Sequence, residues 1–375
     1  MSLDTHLARV PPARSGNVAF FANLAHIFFD NTALTQELRN TVQTLDTYGG
    51  RLYPLIGLLW DGPDNHLFVE CMPPPEFDPY FVGVLGLCLP SVQLYDPADT
   101  LAAETREVIR SIPGCAIDGF VTDELLSELA ARTGTHLAGS VAGCRRGNNK
   151  ALLHQFLVEE GMPVFDTVTV AAPDGIPAAA ERLVRQGYRQ AVIKSPIGAS
   201  GIGLVRFHCD SPPVIPPHLF LDGPCLVQGW LDTSIPRVRR VASPSVQMLV
   251  TNSTLHLYDL TDQILGTDSV HEGNIAPPES FQDPGLRDEL LRQAAVAARW
   301  LRDQGYRGTA STDFHLAFLD DGGAEVRICE VNARVTGATY PSVLARHFLP
   351  CGAWLMRNLH LPTPVPAASI FDDLE

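Results

Sequence analysis

Residues 17 to 31, NVAFFANLAHIFFDN, run apolar almost without a break until His and Asn interrupt them. The run is too short and too interrupted to span a bilayer, and no small-residue cleavage site follows it, so it predicts a buried first strand leading into a helix. RLYPLIGLLW (51 to 60) and FVGVLGLCLP (81 to 90) predict further buried strands, whereas TDELLSELAART (122 to 133) has the spacing and cap of an amphipathic helix. This alternation implies an open α/β domain. The small-residue stretch GTHLAGSVAGCRRGN (134 to 148) reads as a break, after which NKALLHQFLVEEG (149 to 161) predicts a helix with Asn at its N-cap and Gly at its stop. PVFDTVTV predicts a strand, PAAAERLVRQG (177 to 187) a helix, and QAVIKSP and PCLVQGWL (224 to 231) two more strands. Farther along, DFHLAFL and AEVRICEVN predict a hairpin joined by Asp-Asp-Gly-Gly. The Pro-rich patches at 73–79, 212–217 and 362–366 predict loops and a tail.

Composition narrows the function. At 375 residues the chain exceeds one ordinary core and predicts two or three domains. A net charge of -15, with basic residues scattered, argues against tracking a nucleic-acid backbone. A local basic pocket for a small anion stays open. The eight cysteines show neither zinc spacing nor a disulfide framework, so they predict reduced thiols and a cytoplasmic protein with no membrane association.

Two stretches carry chemistry. In VIKSPIGASGIGL (192 to 204) a strand ends in Lys194 and is followed by Gly198, Ala199, Ser200, Gly201 and Gly203. Glycines let backbone N–H groups approach an anion, and the lysine adds the charge that phosphate oxygens attract. The order GxxGxG is neither the dinucleotide fingerprint nor a P-loop; the alternative is a glycine-rich hairpin with no ligand. In the downstream hairpin, Glu330, Asn332 and Arg334 share one strand face, and Asp313 comes from the partner strand. Two carboxylates and an amide oxygen suit a hard divalent cation such as Mg²⁺, which is usually held by one or two carboxylates plus nucleotide phosphates. The alternative is a solvated edge hairpin, which the apolar neighbours in ICEVNA disfavour.

Together, VIKSPIGASGIG, LVQGWL and TDF...CEVNARVTG resemble the ATP-grasp superfamily over roughly residues 145 to 350. The resemblance implies an α/β and α+β chain: an N-terminal Rossmann-like pre-ATP-grasp domain (1–145), a lid subdomain with the glycine loop (146–232) and a C-terminal subdomain with the metal-binding hairpin (233–375). It also implies ATP held between the two subdomains with Mg²⁺, for which Mn²⁺ can substitute, and activation of a carboxylate as an acyl phosphate. Carried over by position, Lys150 and Lys194 are the nucleotide lysines and residues 198 to 203 the loop over the phosphates. Gln228, Gly229, Trp230 and Leu231 meet the adenine and Asp232 the ribose. Asp313, Glu330 and Asn332 are the implied metal ligands, and Arg334 the arginine beside the reacting carboxylate; Arg334, Lys194 and Glu330 form the implied catalytic set. The hinge has Gln where many members carry Glu, and the hairpin turn is longer than in the D-alanine ligase branch. With TDQILGTDSVHEGNIAP and NARVTGATYPSVLARHF, the chain looks most like the peptide ligases typified by the pheganomycin enzyme.

These readings leave three functions: a carboxylate–amine ligase taking amino acids or peptides in specialised-metabolite biosynthesis, a ligase loading a carrier-protein thiol, and a catalytically silent nucleotide-binding module. The intact lysines, acids and arginine argue against the last. The acidic chain offers an acidic carrier no overall steering, which disfavours the second. The assembly state, including a homodimer, is left open. In RVRR (237 to 240), Arg237 and Arg239 share a strand face and could meet a substrate anion or water, and His271 reads as a loop residue that could line an acceptor pocket. His256 and His315 read as strand packing.

Overall fold

A computed structural model describes the chain except residues 1, 8, 43, 267–269, 360–362, 364 and 371–375. Three sheets organise it among the described residues. The first is parallel, in the order Ser91–Leu94, His66–Val69, Val18–Phe21, Ala116–Gly119, His136–Leu137. Its central strand VAFF is buried along its whole length, as expected when helices cover both faces of a parallel sheet. The run at 17–31 therefore does form a first strand followed by a short helix, Leu24–Phe28.

Two other predicted strands are corrected. Residues 51–60 are not a strand: a 3-10 helix ends at Leu52 and a short α-helix, Ile56–Leu59, follows. Pro54 cannot donate to a sheet ladder, and a short buried apolar run has no periodicity that separates strand from helix. Residues 81–90 are also not a strand, because a π-helical turn occupies Pro79–Val84 and leaves Val82 and Val84 exposed. The break at 134–148 contains a helix, Val141–Gly147, whose N-terminus is capped by the Ser140 hydroxyl. The helices at 122–133 and 149–161 stand, as Glu124–Thr133 and Lys150–Glu159, capped by Asp123 and Asn149.

The second sheet is antiparallel and four-stranded: Thr167–Val170, Cys225–Gly229, Gln190–Ala199, Ile202–His208. The third has eight strands, with the long strand Gly308–Leu319 lying between Ala324–Asn332 on one side and Val238–Ala242 and Pro244–Val250 on the other. The short strand Ser2–Asp4 joins it, parallel to Thr254–Leu265. Helix Pro284–Asp303 covers one face of this third sheet with alanines, Trp300 and Leu301. The helix Val141–Gly147 seats here through Gly147, where a Cβ would come within 2.6 Å of the Leu301 side chain and the Ala333 Cβ. Among the described residues no helix is long and apolar enough to cross a membrane, and all eight cysteines are free.

Leu301 is fully buried at this junction, so Leu301→Ala is expected to destabilise the fold by about 2–5 kcal/mol. The measurement is a denaturant midpoint at unchanged m-value; a change below about 1 kcal/mol would show the junction to be loosely packed.

Candidate functional site

The second and third sheets face each other across a cavity of about 420 Å³, and the N-terminal unit, the stretch 18–137 that carries the parallel sheet, contributes residues to its wall. Its roof is the hairpin Gln190–Ala199 to Ile202–His208. Ser200 and Gly201 form its two-residue turn, both at positive φ (52° and 83°), the type I′ geometry that suits the twist of a hairpin. At Gly198 a Cβ would lie 2.7 Å from the Ile202 carbonyl. The glycines are thus partly explained by the hairpin itself, and the hairpin lines the cavity.

Beneath the roof sits Lys150, the first residue of its helix. Its ammonium donates to the Gly198 carbonyl at 2.9 Å and pairs with Glu330 Oε2 at 2.9 Å. Burial lowers the Lys150 pKa and Glu330 opposes that; burial works against the Glu330 charge too, yet Lys150 with Arg334 and Lys194 holds that carboxyl below its usual range. Lys194 lies over the Phe165 ring, 5.4 Å from its centroid.

The floor is the predicted hairpin, Gly308–Leu319 with Ala324–Asn332, in which Asp313 and Glu330 are cross-strand partners. Asp313 Oδ1 accepts from the Ser245 and Ser311 hydroxyls at 2.7 and 3.2 Å, and its Oδ2 accepts from Asn332 Nδ2 at 2.9 Å. Burial, then the Glu330 charge, raises the Asp313 pKa to about 6 despite those donors. Asn332 points its NH₂ at Asp313, leaving Oδ1 without a donor among the described residues. No group of three or more His, Cys, Asp or Glu suited to a metal occurs among the described residues. Two acids crowded in a dry place, with an unclaimed amide oxygen beside them, fit a hard cation completed by phosphate oxygens better than an all-protein cage.

At the far edge, Gln228 is buried and donates to Thr167 Oγ1 at 3.1 Å. The amides of Gly229 and Trp230 are taken by the carbonyls of Asp166 and Gln190, whereas the Leu231 N–H makes no hydrogen bond among the described residues. Asp232 accepts from Trp230 Nε1 and the Ser234 amide, both at 2.8 Å; burial opposes its charge, but these donors keep its pKa low.

The structure brings together Lys150, Lys194, residues 198 to 203, residues 228 to 232, Asp313, Glu330, Asn332, Arg334 and His271 around one cavity. Arg237 and Arg239 are not among its lining residues: Arg237 pairs with Glu325 at 2.5 Å on an exposed surface, and Arg239 is exposed as well. His271 lies in strand His271–Ala276 rather than a loop, with Nε2 against Asn274 Oδ1 at 2.6 Å. Of the stretch TDQILGTDSVHEGNIAP, residues 267–269 lie outside the described residues, as do 362 and 364 of the Pro-rich tail.

Some lining residues escaped the sequence reading. His256 is packing, paired with Asp4, but His315 is more: it lines the cavity, its Nε2 donates to the Leu231 carbonyl at 2.8 Å, and its Nδ1 is buried without a partner among the described residues. Burial, only partly offset by that hydrogen bond, pushes its pKa down to about 4, so the ring is neutral. The available signal was its two-residue offset from Asp313, which puts both on one strand face. Asn148 left no signal. Its Oδ1 accepts from Ala333 N and Arg334 Nη1, and its Nδ2 donates to the Cys144 and Ala333 carbonyls at 2.8 and 3.2 Å.

No family model matches the chain. A [butirosin acyl-carrier protein]--L-glutamate ligase of Niallia circulans is 28% identical over 291 residues, which is 74% of this chain and 63% of that protein. The chain therefore spans less than two thirds of that relative's length. Among solved structures, the biotin carboxylase domain of Hydrogenobacter thermophilus 2-oxoglutarate carboxylase, solved with MgADP, ADP and bicarbonate, aligns at TM-score 0.53 and 13% identity. That alignment covers 90% of this chain and 69% of the other. Biotin carboxylase of Campylobacter jejuni aligns at 0.52 and 12%, covering 92% and 72%. An ADP complex of N5-carboxyaminoimidazole ribonucleotide synthetase aligns at 0.50 and 14%, covering 88% and 73%. At such identities the likeness is one of fold.

Asn148→Ala would leave the Ala333 N–H and one Arg334 N–H without the acceptor they share, so it is expected to cost about 1–3 kcal/mol. Chemical denaturation checks this, and an unchanged midpoint would show that water replaces the amide at no cost.

Proposed function

We propose that this chain, which has the ATP-grasp fold, is an ATP- and Mg²⁺-dependent ligase that joins a carboxylate to an amine. The observation that carries the reading is the convergence of Lys150, Lys194 and the glycine hairpin above Asp313, Glu330 and Asn332 in one cavity. The lysines and the hairpin amides hold the nucleotide phosphates, and residues 228 to 232 hold the base and ribose, with the Leu231 N–H as donor and Asp232 as acceptor. Asp313, Glu330 and Asn332 would hold the cation. When bound, Mg²⁺ would neutralise charge on the nucleotide phosphates.

Arg334, fixed by Asn148, positions the substrate carboxylate. One of its oxygens attacks the γ-phosphorus, the bond to the bridging oxygen breaks, and ADP departs. The amine nitrogen then attacks the acyl carbon, inorganic phosphate leaves, and the amine proton is lost to solvent. The chain need supply no nucleophile: it supplies donors aimed at developing charge and, through the hairpin roof, exclusion of water. Amino acids or peptides are the proposed substrates, as in the peptide-ligase branch. A second reading, with a carrier-protein thiol in place of the amine, rests on the likeness to the Niallia circulans ligase, which acts on an acyl-carrier protein. Mass detection of the product, with and without a carrier protein, separates the two.

Lys194→Ala is expected to weaken ATP binding by on the order of 1.5–3 kcal/mol, the scale of one charge-assisted hydrogen bond. Normal calorimetric affinity in this variant would remove the lysine from the phosphate site. Detecting AMP and pyrophosphate, rather than ADP and phosphate, would sink the acyl-phosphate route.

The metal set gives a pH prediction. A carboxyl with a pKa raised to about 6 is protonated below that value and must lose its proton to bind a cation. Mg²⁺ affinity should therefore be flat above about pH 7 and fall by up to about tenfold per unit below pH 6. Glu330→Gln should raise the Mg²⁺ requirement, while Arg334→Lys should leave it unchanged and lower kcat at least about tenfold. Equal shifts in metal dependence for both variants would refute this division of labour.

A further inference from the structure

One end of the cavity is built by the N-terminal unit, and the nucleotide does not account for it. Leu24, Ile27, Leu38, Val42 and Leu45 give it an apolar wall, and set among them is one cation, Arg51. The Arg51 guanidinium carbon lies over the Tyr48 ring, 3.9 Å from its centroid, and Nη1 donates to Asn358 Oδ1 at 3.4 Å. No carboxylate among the described residues pairs with Arg51, although most of the other half-buried arginines of the chain have one. The ring contact and the Asn358 bond hold the guanidinium in place and leave N–H donors to spare, and arginine can receive a carboxylate by two parallel bonds.

Unclaimed polar atoms lie on the same cavity lining. Tyr340 is 6% exposed, and its hydroxyl is buried with no hydrogen-bond partner among the described residues. His271 is fixed through Nε2 by Asn274, whose own amide is anchored to Thr261. Its imidazole is pressed against Gly337, where a Cβ would come within 2.9 Å of Cε1. Burial, and behind it the Arg51 charge, depresses the His271 pKa, so His271 stands there as a neutral polar group and adds no second cation. A lone cation, an unsatisfied hydroxyl and a neutral imidazole beside an apolar wall describe a ligand with an anionic group on a short aliphatic stem.

Resting on the ligase reading above, we infer that Arg51 is a specificity residue that receives a second, non-reacting carboxylate of a substrate, with the Tyr340 hydroxyl beside it. Arg334 and Arg51 then divide the work. The first attends the carboxylate that is activated, and the second the one that is not. A substrate whose second carboxylate is replaced by an amide would leave the Arg51 charge unpaired in a partly dry pocket, and such mismatches discriminate more strongly than missing apolar contact.

The test is a panel of acid and amide pairs: L-glutamate against L-glutamine and L-aspartate against L-asparagine as carboxylate donors, and amino acids against their α-amides as amine acceptors. Phosphate release and calorimetric affinity are read for the natural chain, Arg51→Gln, Arg51→Lys and Tyr340→Phe. The expected result is at least about a tenfold preference for the acid of one pair series in the natural chain. That preference should be abolished in Arg51→Gln, partly kept in Arg51→Lys and reduced in Tyr340→Phe, while ATP affinity measured without the second substrate stays unchanged in Arg51→Gln. Equal use of acids and amides by the natural chain overturns the proposal, as does a preference that survives Arg51→Gln. Failure of the natural chain to bind ATP would instead sink the ligase reading, and the calorimetric affinities for the panel would still decide the Arg51 assignment.

Discussion

The geometry of the cavity depends on one ammonium. Lys150 ties three parts of the chain that are distant in sequence: the start of its own helix, the Gly198 carbonyl in the hairpin roof, and Glu330 on the floor. The pair is largely withdrawn from water, with side chains 11% and 25% exposed, so its desolvation offsets much of its attraction and it contributes little to net stability. What it supplies is distance. The roof can approach the floor only as closely as one lysine side chain allows, and that separation is where the nucleotide phosphates are proposed to lie. A hydrophobic replacement of similar volume would keep the fold but lose this spacer charge.

Around that contact the sequence was most legible where local backbone rules and chemistry coincide. Asp-Asp-Gly-Gly between two alternating runs leaves few options besides a hairpin, and that hairpin fixes Asp313 opposite Glu330. The glycines after Lys194 are required twice over, by the positive-φ turn and by close backbone approach at Gly198. Apolar runs were less legible. RLYPLIGLLW is buried from Leu52 to Ile56, and burial without periodicity does not distinguish a strand from a helical turn. Side chains that act across the fold were not legible at all. Asn148 matters because the chain returns at Ala333 and Arg334, 185 and 186 residues later. Arg51 matters because Asn358, near the other end of the chain, comes back to meet it.

The charge of the whole chain and the charge of the site have opposite signs. A net charge of -15 would by itself repel nucleotides and carboxylates alike. Yet Lys150, Lys194, Arg334 and Arg51 all line the same cavity, where the facing acids among the described residues are Asp232, Asp313 and Glu330. Screening confines the outer charge to about a Debye length, roughly 8 Å at physiological ionic strength, while charges inside a low-dielectric cavity act on a ligand almost unscreened. Net charge therefore governs which macromolecules approach the surface, and the cavity governs which small anions stay.

The neutral state of the polar groups that line this cationic space follows from the same reasoning. His315 and His271 both line the cavity and both are depressed by burial, with nearby Lys or Arg charge acting in the same direction. A protonated imidazole at either place would add a further cation to a lining that already holds Lys150, Lys194, Arg334 and Arg51. Held neutral, each ring can donate from one nitrogen and accept at the other, and in both cases the donating nitrogen is committed to the protein, to the Leu231 carbonyl or the Asn274 amide. What remains is an acceptor nitrogen, which at His315 is buried with no partner among the described residues. Two neutral rings beside fixed cations leave the positive charge of the cavity to the lysines and arginines alone.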